Sequence, residues 1–232
     1  MKKKFIFSAI TIILAAFSFN INAQDTRNFS ASGFNKLSMG SAFKIDVKQG
    51  SGYSVTTSGR EEDLKDIEAS VKGGTLHLGY KSNGWNKNRK MVTVNITMPS
   101  LEAVDFSGAS KATVANFPAT KNLDVEVSGA SSVMISSNAP KITFDLSGAS
   151  SLTLVGRGDV LTGEVSGASS FKGKEFSAKV ANIDASGASS AAVVASATVN
   201  AEASGASSIR YSGGAKDIHS STSGASSVKR AD

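Results

Sequence analysis

From Asp105 onward, apolar and polar residues alternate in short runs, and each run is broken by the same four residues, Ser-Gly-Ala-Ser. One residue ahead of the break stand Phe106, Val127, Leu146, Val165, Ala185, Ala203 and Thr222. Five residues past its first serine stand Ala112, Val133, Leu152, Phe171, Ala191, Ile209 and Val228, and two further on Val114, Ile135, Leu154, Gly173, Val193, Tyr211 and Arg230. A period of two is that of a strand with one buried side, so these positions are expected to face inward. An acid two positions before the break, at Asp105, Glu126, Asp145, Glu164, Asp184 and Glu202, is expected to face out, with Ser221 ending the series.

The glycines of the break, Gly108, Gly129, Gly148, Gly167, Gly187, Gly205 and Gly224, are spaced by 21, 19, 19, 20, 18 and 19 residues. A helical repeat of that length needs apolar residues three and four apart and strong helix formers, whereas serine, glycine, threonine and valine dominate here. Short strands and tight corners about every 20 residues predict an all-β fold, a right-handed single-stranded parallel β-helix whose coils stack at about 4.8 Å. No six-residue apolar beat and no GGxGxD run points to the other solenoid types. Each SGAS is then a corner: glycine turns the backbone, alanine is expected to fill a crowded inner position, and the serines bond to neighbouring backbone and to one another.

Residues 24–100 lack the corner but are β-rich, and residues 101–232 hold the seven coils. Phe43, Ile45 and Val47 alternate, Ile67–Val71 and Thr75–Tyr80 flank Gly73-Gly74 as a hairpin, and Val92, Val94, Ile96 and Met98 form a further strand. The piece Glu61–Ile67 predicts one helical turn or a bend. This part is expected to cover one open end of the solenoid.

The first 23 residues read as a secretory signal peptide, with Lys2, Lys3 and Lys4, an apolar run from Phe5 to Phe19, and Ala23 before the cut. The run is near the lower limit for a span and no stop-transfer pattern follows, so stable membrane insertion is not expected. Cleavage removes three lysines and no acids, which lowers the formal charge from +6 to +3 and argues against nucleic acid as a partner. With no cysteine, neither a disulfide nor a lipidated cysteine is available.

The succession GFNKLSMGSAFKIDVKQGSGYSVTTSG, the strand TLHLGY, the segment ITMPSLEAVDFSGAS and the later SGASS copies resemble the head GIN domain of putative autotransporter adhesins, found in Bacteroidetes-type bacteria. The resemblance runs from about Phe34 to Val228. It implies a right-handed β-helix in an exported protein with an adhesin label, and it supplies no catalytic residue.

Candidate chemistry is sparse. His77 and His219 have no ligand-spaced partner, and Ser41 to Lys44 spells SxxK without its SDN and KTG companions, so no catalytic, metal or cofactor site is assigned. Arg157-Gly158-Asp159 spells an adhesion tripeptide on an expected turn. The acidic column invites Ca²⁺, with compensation by Lys121, Lys141, Lys179 and Lys216 as the simpler account. Trp85, in the polar and basic loop SNGWNKNRK, suits stacking on a sugar or anchoring at a protein surface. The expected function is a non-catalytic, exported binding protein of the cell surface or periplasm, whose ligand is a glycan or a protein surface and which could form oligomers. The alternatives are a carbohydrate-active β-helix enzyme, which requires converging acids, and a structural or self-assembling surface protein.

Overall fold

The computed structural model describes residues 24–81 and 88–231. The expected signal peptide and Trp85 lie outside them. The N-terminal part contributes β1 (Asp25–Phe29), β2 (Lys36–Gly40), β3 (Phe43–Gln49), β4 (Ser54–Gly59), helix α1 (Glu61–Lys65), β5 (Ile67–Lys72), β6 (Thr75–Tyr80) and β7 (Val92–Met98). Coils with one SGAS corner each follow: β8 (Ala103–Ser107) with β9 (Lys111–Val114), β10 (Asn122–Val127) with β11 (Ser132–Ser137), and β12 (Lys141–Leu146) with β13 (Ser151–Arg157). Then come β14 (Val160–Val165), the long β15 (Ser170–Ala185) and β16 (Ser190–Ala203), β17 (Ser208–Ser212), β18 (Asp217–Thr222) and β19 (Ser227–Arg230). β15 and β16 run on through the rear bend, so each serves two coils.

The strand before each corner pairs in parallel with the strand before the next corner, and the strands after the corners pair likewise. This makes a β-solenoid of two parallel sheets. We call them the first sheet, which ends at the corner, and the second sheet, which begins there. The registers place the six acids in single file, Asp105 beside Glu126, then Asp145, Glu164, Asp184 and Glu202, with Ser221 last.

The corner works by two constraints at once. Every motif glycine has φ between 69° and 77°, a left-handed conformation that other residues adopt at a cost. A Cβ on Gly129, Gly148, Gly167, Gly187, Gly205 or Gly224 would also meet the carbonyl oxygen of the preceding motif glycine at 2.4–2.9 Å. That close approach lets each motif alanine N–H donate to the same carbonyl at 2.7–2.8 Å, so the corners form their own ladder. The inner residue is the second serine and not the alanine: Ser110, Ser131, Ser150, Ser169, Ser189 and Ser207 are 2–3% exposed, whereas the motif alanines are exposed. A buried hydroxyl needs an acceptor, and the coil above supplies one: Ser150 Oγ donates to Val127 O at 3.1 Å, Ser189 Oγ to Val165 O at 2.9 Å, and Ser207 Oγ to Ala185 O at 2.9 Å.

The first coil of the stack has no SGAS. β2 pairs with β8, and β3 with β9, through a shorter corner at Ser41 and Ala42. β6 and β7 lie on the far side of β2 and β3, so the order in space departs from the order in sequence. The Gly73-Gly74 hairpin adds β5 antiparallel to β6, while β4 extends the second sheet antiparallel to β7 and β1 in turn pairs antiparallel to β4. Between these edges α1 closes the core with Leu64, which is buried along with Ile67 at the start of β5, and Arg27 of β1 donates to Leu64 O and Ile67 O, both at 2.8 Å.

The core is wide at this end and narrow at the other. Phe34, Phe43, Leu37, Met39, Ile45 and Phe106 fill the first coils, and Phe144 stacks on Phe171 at 4.2 Å in the middle. Gly163 makes room for the Phe144 ring, because a Cβ there would fall 2.0 Å from the ring edge. Past that point Ala181, Ala185, Ala191, Ala195, Ala201 and Ala203 line the interior. Thr222 and Arg230, expected inside, are exposed, and Val228 is half-buried. No described coil packs beyond β18 and β19, so the inward positions of the last coil have cover on one side only.

Candidate binding surface

The outer side of the first sheet carries the column of acids. At a strand spacing of about 4.8 Å, neighbouring unit charges repel by about 0.9 kcal/mol even in water, so a closely spaced file calls for compensation. The lysines suspected of supplying it do not do so among the described residues. Lys179 pairs instead with Asp159 at 2.8 Å, and Lys141, four positions before Asp145 on the same strand, stands about 13 Å back along it. Relief comes at the N-terminal end, where Ser38 Oγ donates to Asp105 Oδ2 at 3.0 Å and His77 follows Ser38 in the file. Nowhere among the described residues do three His, Asp or Glu side chains converge as a metal would require. Beside the acids runs a neutral ladder, in which Asn200 Nδ2 donates to Asn182 Oδ1 at 2.7 Å and Asn182 Nδ2 to Thr162 Oγ1 at 3.3 Å.

Two clefts open on this side near the N-terminal end and share Lys36 and Asp124. The larger, about 470 Å³, lies between the segment around Leu101 and the segment Ala119–Lys121, with Glu102, Thr120 and Lys121 on its walls. The smaller, about 230 Å³, holds Ser38, His77, Asp105 and Glu126. Both amines and carboxylates therefore reach one continuous recess. Its frame is firm: Thr120 Oγ1 donates to Leu101 O at 2.7 Å, and Asp124 N–H to Glu102 O at 2.9 Å. The sequence pointed to Asp105 and Glu126 but not to Lys36, Glu102, Thr120 or Asp124; the signal was the 21-residue spacing from Gly108 to Gly129, the longest of the series.

The other sequence candidates lie elsewhere. His219 is exposed in the last coil, in the column next to the acids. Ser41 sits at the first corner just before a strand, with no helix for an SxxK nucleophile. Arg157-Gly158-Asp159 forms a rear bend held within the ladder, Gly158 N–H donating to Ser177 O at 3.0 Å and Asp159 N–H to Pro140 O at 2.8 Å. Its carboxylate already pairs with Lys179.

A family model described as putative auto-transporter adhesin, head GIN domain, matches residues 33–215. The chain belongs to this family. Solved structures share this fold. One described as a putative adhesin from Bacteroides fragilis NCTC 9343 superposes with a TM-score of 0.79 at 21% identity, covering 90% of this chain and 97% of that one. A putative adhesin from Parabacteroides distasonis ATCC 8503 gives 0.68 at 16% identity, over 90% and 97%. A protein from the same strain described as putative lipid binding gives 0.61 at 16%, over 90% and 97%. At such identities the likeness extends to the fold alone. No curated protein matches the chain. Among the described residues of this head GIN domain, no helix is long and apolar enough to cross a membrane.

Proposed function

We propose that this head GIN domain is an exported, non-catalytic binding module that takes a polar surface ligand, a glycan or a protein side-chain cluster, in the recess around Lys36 and Asp124. The observation that carries the reading is the meeting of two clefts at those residues, with ammonium, carboxylate and hydroxyl groups facing one space. Polar recognition by direct hydrogen bonds needs such a mixed lining on a rigid frame. A glycan hydrolase would need two carboxylates at a set separation across one bond; Asp105 and Glu126 belong to a file that continues unchanged through Asp145 and Glu164, away from the recess, which favours a repeated surface feature over a pair set for one bond. The adhesin label of the family favours binding over catalysis as well.

The test is an array of glycans and host-surface proteins probed with residues 24–232, the Lys36→Ala and Asp124→Asn variants, and Trp85→Ala. Specific binding that weakens at least tenfold in the Lys36 and Asp124 variants is expected. Loss only in Trp85→Ala would move the site to the segment 82–87, and bond cleavage in any bound glycan would replace the reading with an enzymatic one.

A further inference from the structure

Over the C-terminal coils, the outer sides of the two sheets carry columns of opposite charge, while further towards the N-terminal end the basic column gives way to Met134, Thr113 and Asp46. The first sheet presents Asp145, Glu164, Asp184 and Glu202 in register. Outward positions of the second sheet present Lys172, Arg210 and Lys229, in one column that also holds Thr153 and Ala192. All of these charged side chains are exposed, and none is in an ion pair among the described residues.

The two columns also match in position. Within one coil, Glu164 lies two residues before the corner's first serine, and Lys172 three residues after its last. Glu202 and Arg210 stand in the same relation two coils on. Because the chain doubles back at the corner, acid and cation sit at the same level of the solenoid and within about one residue step, ~3.3 Å, of each other along the strands. They point away from each other on opposite sides of the core, so they cannot pair within one molecule.

We propose that copies of this chain associate side by side, the acidic outer side of one against the basic outer side of the next. A neighbour shifted only perpendicular to the sheets brings its Lys172 opposite Glu164 and its Arg210 opposite Glu202. Arginine suits the carboxylate in such a contact, since its planar fork accepts two oxygens at once. The contact also relieves the repulsion along the acid file, which nothing in the single chain does beyond Asp105. It is a head-to-tail contact between unlike surfaces, so association is open-ended and gives rows instead of closed pairs. The recess at Lys36 and Asp124 opens on this same outer side, with Glu126 two coils from Glu164, so a neighbour in the row covers it as well.

Sedimentation velocity of residues 24–232 tests this at about 0.01 M salt, where charges act over ~30 Å, and at about 1 M, where they are screened within ~3 Å. The expected result is a mass that rises with protein concentration in low salt and returns to the monomer in high salt. Glu164→Lys with Glu202→Lys should be monomeric in both, and so should Lys172→Glu with Arg210→Glu. Mixing the two reversed proteins should restore association, because each then carries the surface the other lacks; circular dichroism of each variant checks that both are folded. A monomer at every concentration in low salt overturns the inference, as does association that survives either reversal or fails to return on mixing. A monomer that still binds on the array would overturn it while leaving the binding role of the recess intact.

Discussion

The two ends of the solenoid solve the same problem differently. At the N-terminal end α1 and the antiparallel strands β1, β4 and β5 close a core of Phe34, Leu37, Phe43 and Ile67. At the C-terminal end the interior is lined mostly by alanine, with Val193, Val199 and Ile209 among it, and Ile218, Val228 and Tyr211 are only half-buried. Burial stabilises by about 25 cal/mol per Å² of apolar surface, so exchanging phenylalanine and leucine for alanine removes stabilisation coil by coil. In a linear stack each coil feels only its neighbours, and the last one has a single neighbour. Stability is therefore graded along the axis by core size and by closure together.

Hydrogen exchange gives the largest contrast. Amides of β18 and β19 should open at a cost of about 0–2 kcal/mol, while those of β3, β7 and β9 should approach the global value, roughly 5–15 kcal/mol. Equal protection at both ends would break the comparison. Truncation sharpens it: Leu64→Ala should cost about 2–5 kcal/mol in urea unfolding, and Val228→Ala less than about 1 kcal/mol, because only the first opens a closed cavity. The corners should follow the same gradient. Gly148→Ala forces a Cβ against Gly129 O inside the stack and should cost about 2–4 kcal/mol, whereas Gly224→Ala, free to shift outward, should cost about 1 kcal/mol.

The smallest effect is at the cap and depends on pH. Partial burial, and then the nearby Asp63 carboxylate, raise the Tyr80 hydroxyl above its ordinary value, although Arg89 over the ring at 3.9 Å opposes this. A raised folded pKa means that the contribution is complete below the unfolded value, about 10, and is lost as pH climbs through the folded one. Tyr80→Phe should leave the melting temperature at neutral pH within a degree or so and flatten its decline above pH ~10. An unchanged alkaline decline would remove Tyr80 as its source.

The solenoid was legible because its signals are local and repeated: the two-residue alternation, the glycine spacing and the acid ahead of each corner each recur with every coil. Where a reading failed, the deciding contact was between coils. Alanine and serine are both small, and only the carbonyl of the coil above, met by Ser150 and Ser189, decides which of them turns inward. The N-terminal part was harder for the same reason. β2 and β3 slip between β6-β7 and β8-β9, a pairing set by partners some 40 to 70 residues away, and nothing in local alternation encodes it. The recess escaped notice because its lysine and its acids come from segments far apart in the chain, and the basic column because its cations occupy only some coils.

The ladder of corner glycines makes the molecule's length a countable quantity. Removing the 19 residues from Gly148 up to Gly167 deletes one whole rung and rejoins two like ends, giving a rod shorter by ~4.8 Å with the same outline and the same cap. A cut of half that size would put strands that belong before the corner in the place of strands that follow it, so the rod can lengthen or shorten only by whole coils.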